Sequence, residues 1–296
     1  MKGQPSITLV TPSYNQGHFL EATIQSVLSQ NYPNLEYIIV DGGSTDNSVE
    51  IIQKYSRNLS HWSSEPDQGQ YDALNKGFAL GHGDIMAWLN SDDMYYPWTL
   101  KAVASIMTEI PDALWISTLQ QGWWDWYGMP LGFGTISGFS KAAFLDGRYL
   151  PLEGGSQIGW IQQESTFWRR SLWENTGARL STEFHMAGDF DLWSRLFAKA
   201  DLYGVESPLA GFRFQEAQKT RHDRYVAEAK ISLDRMRSSC GWSPQGRAGR
   251  AIRAISSAAR SPIRKGRDGG RYEGKRISRT EVNNPGAAWI IRDYTF

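Results

Sequence analysis

The first 110 residues alternate between short apolar runs and segments whose apolar side chains recur with helical spacing. The runs predict strands at residues 6–11, 37–40, 59–64 and 84–89. The intervening segments predict helices at about 18–30, 46–52, 70–80 and 97–109. Strands that alternate with helices favour a mostly parallel sheet with right-handed crossovers. We therefore predict an α/β, Rossmann-like fold in which helices flank a mostly parallel sheet.

Polar residues follow three of these strands at the point where each strand ends. Thr11–Asn15 follows the first strand, Asp41 the second and Asn90–Asp93 the fourth. Ligands of open parallel sheets bind beyond the carboxyl ends of the strands. These three strand ends therefore predict one common cleft.

Asp92 and Asp93 place two adjacent carboxylates at one of these strand ends. Their mutual repulsion is offset where a hard cation such as Mg²⁺ or Mn²⁺ binds them together with a diphosphate. The alternative is a helix N-cap, because Asp93 lies a few residues before Pro97. We predict a metal and diphosphate site here, on the condition that the neighbouring strand ends share it.

Two further loops carry polar residues with both a binding and a structural interpretation. In Asp41-Gly42-Gly43 the glycines allow close approach of a ligand, and Asp41 could accept a bond from a base N–H or a ribose hydroxyl. The alternative is a loop that caps the next helix.

Asp67 begins an Asp-Gln-Gly sequence that also suits an ordinary turn. Asp72 and Lys76 have the spacing of a helical ion pair, although Lys76 could instead contact a phosphate.

Asp189 lies at the predicted start of a helix whose buried face includes Leu192 and Leu196. A carboxylate within reach of an acceptor hydroxyl can act as a general base. The alternative is again an N-cap, and Asp191 is spaced to pair with Arg195.

Residues 113–180 are irregular, rich in glycine and aromatic, and we predict that residues 122–128 form a surface loop over the cleft. The chain has 13 Trp, a residue used both at carbohydrate surfaces and in cores. After this region we predict helices near 169–175, 189–200 and 220–238, and a strand pair at 202–214.

Four segments, in this order and spacing, resemble family 2 glycosyltransferases of the GT-A fold. They are Thr-Pro-Ser-Tyr-Asn at 11–15, Val-Asp-Gly-Gly-Ser-Thr-Asp at 40–46, Leu-Asn-Ser-Asp-Asp at 89–93 and Gly-Asp-Phe-Asp-Leu-Trp at 188–193. The resemblance covers about residues 5–220. Residues 163–170 also resemble a segment of bacterial members that build surface polysaccharides.

The resemblance implies an inverting transfer of a sugar from a nucleotide-sugar donor, for which we expect a UDP-sugar, to a hydroxyl of a saccharide or lipid-linked acceptor. The metal would be Mn²⁺ or Mg²⁺, with Asp93 of the DXD-like element as its direct ligand, and Asp189 would be the base. The expected donor-binding residues are Thr11, Pro12, Tyr14, Asp41, Asp67, Asp72, Lys76 and Asp92. The expected acceptor-binding residues are Trp124, Gln163 and Glu164. Many members carry Arg before Asn in the helix preceding the fourth strand, whereas this chain has Leu74-Asn75, with Lys76 as a candidate replacement.

The charge of the chain divides near residue 240. Residues 1–236 hold 18 Lys and Arg against 27 Asp and Glu, and residues 237–296 hold 13 against 4. We predict a catalytic domain at 1–240, with a donor half at 1–110 and an acceptor half at 111–240, followed by a basic, helical C-terminal extension at 241–296.

Within this extension, residues 246–267 combine apolar and arginine-bearing helical faces that suit an anionic membrane surface. The alternative is a solvated basic tail. Nucleic acid binding is disfavoured because the body is acidic and carries no nucleic-acid motif.

One cysteine, Cys240, excludes an intramolecular disulfide and a Cys-based zinc site. The sequence shows no signal peptide and no membrane-spanning apolar stretch. We therefore expect a cytoplasmic enzyme, peripheral on the inner face of the plasma membrane if the tail binds lipid. The rival functions are a sugar nucleotidyltransferase, which needs a basic glycine-rich loop absent from 11–17, and a non-catalytic carbohydrate-binding protein.

Overall fold

The computed structural model describes residues 3–150, 158–215, 222–242, 272–281, 284 and 286–296. The strands are β1 (Ile7–Ser13), β2 (Leu35–Asp41), β3 (His61–Ser64), β4 (Ile85–Trp88), β5 (Met94–Tyr95), β6 (Trp115–Thr118), β7 (Gln120–Trp124), β8 (Pro130–Thr135), β9 (Phe167–Arg169), β10 (Leu202–Val205), β11 (Ala210–Arg213), β12 (Glu273–Arg279) and β13 (Trp289–Thr295). The helices are α1 (Gly17–Leu28), α2 (Ser48–Tyr55), α3 (Gln70–Leu80), α4 (Thr99–Glu109), α5 (Lys141–Leu145), α6 (Arg170–Asn175), α7 (Gly188–Lys199) and α8 (His222–Cys240).

The main sheet has nine strands in the order β13-β12-β10-β6-β9-β4-β1-β2-β3. Strand β1 lies parallel to β2 and β4, and β10 lies parallel to β6 and β12. Strand β9 is antiparallel to both β4 and β6. The predicted α/β fold with a mostly parallel sheet flanked by helices is therefore confirmed, and the four strands predicted in the first half all form.

The register of β1 brings the predicted strand ends together. Ser13 lies opposite Asp41 of β2, and Val10 lies opposite Trp88, the last residue of β4. The loop after Asp41 and the loop Asn90–Asp93 therefore leave the same edge of the sheet on either side of β1.

The core forms two apolar layers, because successive side chains of a strand point to opposite faces. Leu9 faces the layer of α1, α2 and α4, whereas Val10 faces the layer of α3 and α5–α8. Trp193 of α7 is fully buried in the second layer and stacks on Trp88 at 5.9 Å between ring centroids, with Trp115 and Trp168 at 5.7 and 6.2 Å. This tryptophan cluster fixes α7, and with it Asp189, against the carboxyl end of β4.

The prediction of an irregular region with a surface loop at 122–128 is only partly right, because residues 125–128 form an exposed turn but the residues before them do not. Residues 120–124 form β7, in a second sheet of order β5-β11-β7-β8. The alternation of glycine and aromatic residues in β7 and β8 lets bulky rings pack over small neighbours: the ring of Trp123 lies over Gly134, and that of Trp124 lies over Gly211. The predicted strand pair at 202–214 is also corrected, since β10 joins the main sheet and β11 the second.

Within the extension predicted to be helical, residues 273–279 and 289–295 instead form strands β12 and β13, which complete the main sheet. Strand β12 pairs with β10, and β13 forms its outer edge. The basic segment 246–267 lies outside the described residues. Among the described helices, none combines the length and apolar character that crossing a bilayer requires.

We predict that Trp193→Ala lowers the free energy of unfolding by about 3–5 kcal/mol, because it removes a large, fully buried side chain and leaves a cavity in the tryptophan cluster. Denaturant unfolding measures this loss. Tyr127→Ala is the matched control, since that aromatic side chain is 85% exposed, and its variant should unfold within about 0.5 kcal/mol of the wild type. Equal losses in the two variants would contradict the described core.

Candidate functional site

Asp41 is fully buried at the end of β2 and organises the loop that follows it. Its Oδ2 accepts the backbone N–H groups of Gly43 at 3.1 Å and Ser44 at 2.8 Å and the hydroxyl of Ser64 at 2.7 Å, while Oδ1 accepts the Ser44 hydroxyl. Both carboxylate oxygens thus hold the loop itself. The loop function that the sequence left open is present in the structure, and binding of a nucleoside by Asp41 stays a prediction.

Asp67 lies over the same loop. One of its carboxylate oxygens is 2.9 Å from the position that a Cβ would take on Gly42, so a side chain at residue 42 would displace it. Its Oδ1 accepts the backbone N–H of Gly69 at 2.7 Å, which fixes the turn before α3. Asp41 and Asp67 therefore enclose a compact backbone loop at the sheet edge.

The residues predicted at the end of β1 divide into buried and exposed members. Thr11 and Pro12 are buried within the strand, and the Thr11 hydroxyl bonds that of Tyr37 at 3.1 Å. The Thr11 side chain is therefore engaged in the protein interior. Tyr14 is 56% exposed at the cleft edge, where its ring is available to a flat ligand.

Asp93 is buried to 1% exposure and is bonded on both carboxylate oxygens. Oδ1 accepts the backbone N–H of Arg213 at 2.9 Å, and Oδ2 accepts the amide of Asn90 at 3.2 Å. The Arg213 guanidinium donates from Nε to the carbonyl of Asp92 at 2.6 Å and from NH1 to that of Trp126 at 2.9 Å. Strand β11 thus closes over the Asp92–Asp93 pair with a cation.

The Asn90–Asp93 loop is also held from two helices. The hydroxyl of Thr23 in α1 lies 2.9 and 2.8 Å from the carbonyls of Ser91 and Asp93. The Gln70 amide at the start of α3 donates to the side-chain oxygen of Asn90 at 2.8 Å. The loop is therefore fixed before any ligand arrives.

Glu164 lies in the turn Gln163–Ser165 and is 3% exposed. Its Oε1 has no hydrogen-bond partner. The Gln163 amide donates to the carbonyl of Trp88 at 2.8 Å, which attaches this turn to the end of β4. Burial, together with the charges of Asp92 and Asp189, raises the pKa of Glu164 to about 8. The turn that carries Glu164 therefore lies at the end of β4, directly before the Asn90–Asp93 loop.

The pKa of Asp93 is also shifted by neighbouring acidic side chains. Its burial and the negative charges of Asp92 and Glu164 raise its pKa well above the ordinary range of an aspartate. Arg213, in turn, has a pKa lowered by burial, although Asp93 and Asp92 act in the opposite direction. The acids of the cleft thus outnumber the cation that closes over them, which is the arrangement that an added cation stabilises.

Asp189 lies at the first turn of α7. Its Oδ1 accepts the N–H of Phe190 at 2.7 Å, and its Oδ2 accepts the hydroxyl of Tyr225 at 3.3 Å. Enclosure by neighbouring side chains raises its pKa to about 6, although both hydrogen bonds act in the opposite direction. A carboxylate with this pKa is ionised at neutral pH and still basic enough to accept a proton.

Asp72 and Lys76 form the helical ion pair that the spacing suggested, with 2.9 Å between Nζ and Oδ2. The same carboxylate accepts the N–H of Gln68. Both residues are therefore engaged on α3, and their contact with a donor phosphate stays a prediction.

Trp124 is buried in β7 and packs on Tyr96 at 4.9 Å between ring centroids. Since its ring faces the second sheet, the described structure offers no surface of Trp124 for stacking an acceptor, and that role stays a prediction. Trp126 is 42% exposed, packs edge-on against Phe19 and bonds Arg213 through its carbonyl. It is the aromatic residue of this run that lies at the cleft.

Sequence reasoning missed Arg213 and Gln215, although the two bind the acidic pair directly. The Gln215 amide donates to Oδ2 of Asp92, and Arg213 also lies over the ring of Phe19 at 5.1 Å. A signal was present, because Arg213 sits in an otherwise apolar strand where a cation is buried only if it has a partner.

The described residues contain no cluster of three acidic, histidine or cysteine side chains with the arrangement of a complete metal site. Asp92 and Asp93 supply two carboxylates, of which Asp92 is the more exposed. This set fits a Mg²⁺-type ion that takes its remaining ligands from phosphate and water.

Residues 8–151, just under half of the chain, match the model of the family described as Glycosyl transferase family 2. An uncharacterized glycosyltransferase of Mycobacterium tuberculosis is 38% identical over 96 residues, which are 32% of this chain and 37% of the relative. TuaG of Bacillus subtilis, whose name provisionally assigns it to teichuronic acid biosynthesis, is 35% identical over 109 residues, or 36% of this chain and 43% of TuaG. The chain spans about a third of the length of the curated relatives it matches first.

Two solved structures share the fold. Residues 1–349 of S. aureus TarS, in complex with UDP-GlcNAc, superpose with a TM-score of 0.60 at 15% identity over 78% of this chain and 66% of that one. The mannosyltransferase PcManGT of Pyrobaculum calidifontis, in complex with GDP-Man and Mn²⁺, gives 0.52 at 14% identity over 88% and 82%. These similarities establish the GT-A fold.

We predict that Glu164→Gln stabilises the protein in a pH-dependent way. Glutamate ordinarily titrates near 4.5, and here the folded-state pKa is about 8. Between these values the folded protein keeps a proton that the unfolded chain releases, so wild-type stability falls as the pH rises through this window. Glutamine has no such proton. The variant should match the wild type below pH 4.5 and exceed it by about 4–5 kcal/mol above pH 8.

Thermal melts of the two proteins from pH 4 to pH 9 measure the difference, with Glu50→Gln as the control because Glu50 is exposed on α2. A constant offset between Glu164→Gln and wild type at every pH would refute the buried, protonated state of Glu164.

Proposed function

We propose that this chain is a family 2 glycosyltransferase that transfers a sugar from a nucleoside diphosphate donor, a UDP-sugar, to a hydroxyl of a saccharide or lipid-linked acceptor, with inversion at the anomeric carbon. The observation that carries the proposal is that the Glu164 turn and α7 both meet the end of β4 beside the Asn90–Asp93 loop: the Gln163 amide donates to the Trp88 carbonyl, and Trp193 stacks on the Trp88 ring. A donor-binding acidic pair and a candidate base therefore face one cleft, as a one-step displacement requires.

The nucleoside is proposed to bind at the edge formed by β1 and β2. Tyr14 offers an exposed ring for stacking, and the loop over Gly42 and Gly43 offers backbone groups that a ligand can approach closely. Asp67 lies beside this loop and can accept bonds from ribose hydroxyls. Because Asp41 already fixes the loop, the nucleoside binds a surface that needs little ordering.

The diphosphate is proposed to lie next to the Asn90–Asp93 loop, where Asp92 and Asp93 would hold Mn²⁺ or Mg²⁺. Such an ion neutralises the negative charge that develops on the departing diphosphate. Arg213 keeps Asp93 in place through its backbone N–H and lies at the same end of the cleft. Its bonds to the carbonyls of Asp92 and Trp126 keep the cation directed at the loop.

Asp189 is proposed as the general base. As the acceptor oxygen bonds to the anomeric carbon, its proton passes to the Asp189 carboxylate, and the bond from the anomeric carbon to the diphosphate oxygen breaks on the opposite face. The pKa of about 6 makes the carboxylate available at neutral pH, and general-base assistance is worth roughly 10²–10⁴ in rate.

The acceptor is proposed to approach between Glu164 and Asp189, beneath the half-exposed Trp126. Glu164 carries a buried oxygen without a partner, which a saccharide hydroxyl can satisfy. The names of TuaG and the complexes of TarS support a role in the synthesis of cell-surface polysaccharide. The first experiment is a hydrolysis screen over UDP- and GDP-sugars with Mn²⁺ or Mg²⁺, in which water replaces the acceptor.

We predict that Asp189→Asn and Asp93→Ala separate the two halves of the reaction. Asp189→Asn should retain donor binding by calorimetry and lose at least about 100-fold in turnover of the donor found in the screen. Asp93→Ala should lose metal-dependent donor binding. Asp201→Asn, on the exposed loop before β10, is the control and should behave as wild type. Full turnover in Asp189→Asn would eliminate Asp189 as the base.

We also predict the pH profile of the wild-type reaction. The base acts only when it is ionised, so kcat/KM should fall about tenfold per pH unit below the Asp189 pKa, which is about 6, and level off above it. Initial-rate measurements from pH 4.5 to pH 8 test this profile. A rate that is independent of pH across that range would exclude a base with this pKa.

A further inference from the structure

A side chain of α8 bonds the Asp189 carboxylate, and α8 lies outside the family match at residues 8–151. Tyr225, in the first turn of α8, donates its hydroxyl to Oδ2 of Asp189 at 3.3 Å. The other carboxylate oxygen is bonded to the N–H of Phe190 at 2.7 Å. With one bond to each oxygen, rotation of the carboxylate about its Cβ–Cγ bond is restricted.

The same helix also holds the backbone that leads to Asp189. Oε2 of Glu228 accepts three successive N–H groups, from His185 at 3.0 Å, Met186 at 2.7 Å and Ala187 at 3.0 Å. These bonds, charge-assisted because the acceptor is ionised, are stronger than neutral ones. Neighbouring backbone groups bond Tyr71 of α3, whose hydroxyl donates to the carbonyl of Met186 and accepts the N–H of Gly188, both at 2.9 Å.

We propose that Tyr225 is a positioning residue for the transfer reaction, which orients the Asp189 carboxylate and favours its ionised form, while Glu228 of the same helix fixes the backbone on which Asp189 sits. This inference rests on the proposed function, in which Asp189 is the base. It assigns α8 a role in the reaction beyond packing.

The physical basis is the set of opposing influences on the pKa of Asp189. Enclosure of the carboxyl and the negative charge of Glu228 raise its pKa, whereas the bonds from Phe190 and Tyr225 lower it. A hydroxyl that donates to the carboxylate stabilises the charged form and cannot stabilise the acid equally well. Removing that hydroxyl therefore leaves the base more often protonated near neutral pH.

The charged and titratable groups that face Asp189 come from three neighbouring elements. They are Tyr71 on α3, Glu164 in the turn Gln163–Ser165, and Tyr225 and Glu228 on α8, where Arg224 pairs with Glu228 at 3.0 Å. On α7 itself, Asp191 is paired with Arg195. Since Tyr225→Phe alters none of these groups except the hydroxyl, its effect on Asp189 can be isolated.

The test is a carboxyl titration of the whole chain labelled with ¹³C-aspartate, in wild type, Tyr225→Phe and Ser232→Ala, with Asp189→Asn to identify the Asp189 signal. We expect a wild-type midpoint near 6, and in Tyr225→Phe a midpoint higher by roughly half a unit or more, the effect of one hydrogen bond to a carboxylate. Phenylalanine preserves the ring, so the fold should persist, and a thermal melt of each variant verifies that it does.

Ser232→Ala is the matched control. It also removes one α8 hydroxyl that bonds an aspartate of α7, since the Ser232 hydroxyl donates to Oδ1 of Asp191 at 3.2 Å, but it does not bond Asp189. Its Asp189 midpoint should equal that of the wild type. An unchanged midpoint in Tyr225→Phe, or an equal shift in Ser232→Ala, overturns the proposal.

A kinetic measurement then separates this proposal from the proposed function. With the UDP-sugar that wild type hydrolyses fastest, Tyr225→Phe should move the acid limb of kcat/KM upward by the same interval, so that activity falls two- to threefold at pH 6 and returns to within twofold of wild type at pH 8. A shift of the carboxyl midpoint with no shift in the rate profile would show that Tyr225 holds a carboxylate that is not the base. Absence of sugar-nucleotide turnover in wild type would reject the proposed function, while the titration would still decide whether Tyr225 controls Asp189.

Discussion

The contact between Arg213 and the Asp92–Asp93 pair is the interaction on which the candidate site depends. Two adjacent acids at a strand end, one of them 1% exposed, are tolerated inside a protein only when donors and positive charge surround them. The second sheet brings these donors to the pair. Strand β5 begins directly after Asp93, β11 pairs with β5, and Arg213 at the end of β11 closes over both acids. Removing the guanidinium would leave the carbonyls of Asp92 and Trp126 without these donors, and a buried polar group without a partner costs about 1–3 kcal/mol.

What could be predicted from the sequence was the part of the site that local pattern determines. The ends of β1, β2 and β4 were recognisable because apolar runs stopped at polar loops, and a parallel sheet necessarily brings such ends to one edge. Asp72 and Lys76 likewise form the pair that their spacing implies. The contacts that complete the site join residues far apart in the chain, such as Arg213 with Asp93 and Tyr225 with Asp189. No periodicity encodes these contacts, since they follow from how the second sheet and α8 pack.

The tryptophans show why composition alone misled the interpretation of residues 122–128. A Trp-rich, Gly-rich segment is compatible with a carbohydrate-binding loop, but here glycines on facing strands leave room for indole rings, and β7 forms a packed sheet. Four of the largest fully buried side chains, Trp88, Trp115, Trp168 and Trp193, form the core beneath the cleft. Three of these rings pack against Trp193 of α7. Tyr225 of α8 bonds Asp189 in the first turn of α7. The rings thus contribute to function through the rigidity they give to the position of Asp189.

Two carboxylates, one buried and one partly buried, organise backbone segments near the candidate site. Asp41 bonds two N–H groups and two hydroxyls of its own loop and of β3, and Glu228 bonds three N–H groups ahead of α7. Each carboxylate fixes a backbone segment before any ligand binds. Ordering that segment therefore does not reduce the affinity for a ligand or raise the activation barrier. Glu164 and Asp189, like Asp93, have raised pKa values. Burial is the largest cause for all three, and neighbouring negative charges add to it. In the proposed reaction, an acceptor hydroxyl between Glu164 and Asp189 would bond the Glu164 oxygen that has no partner among the described residues.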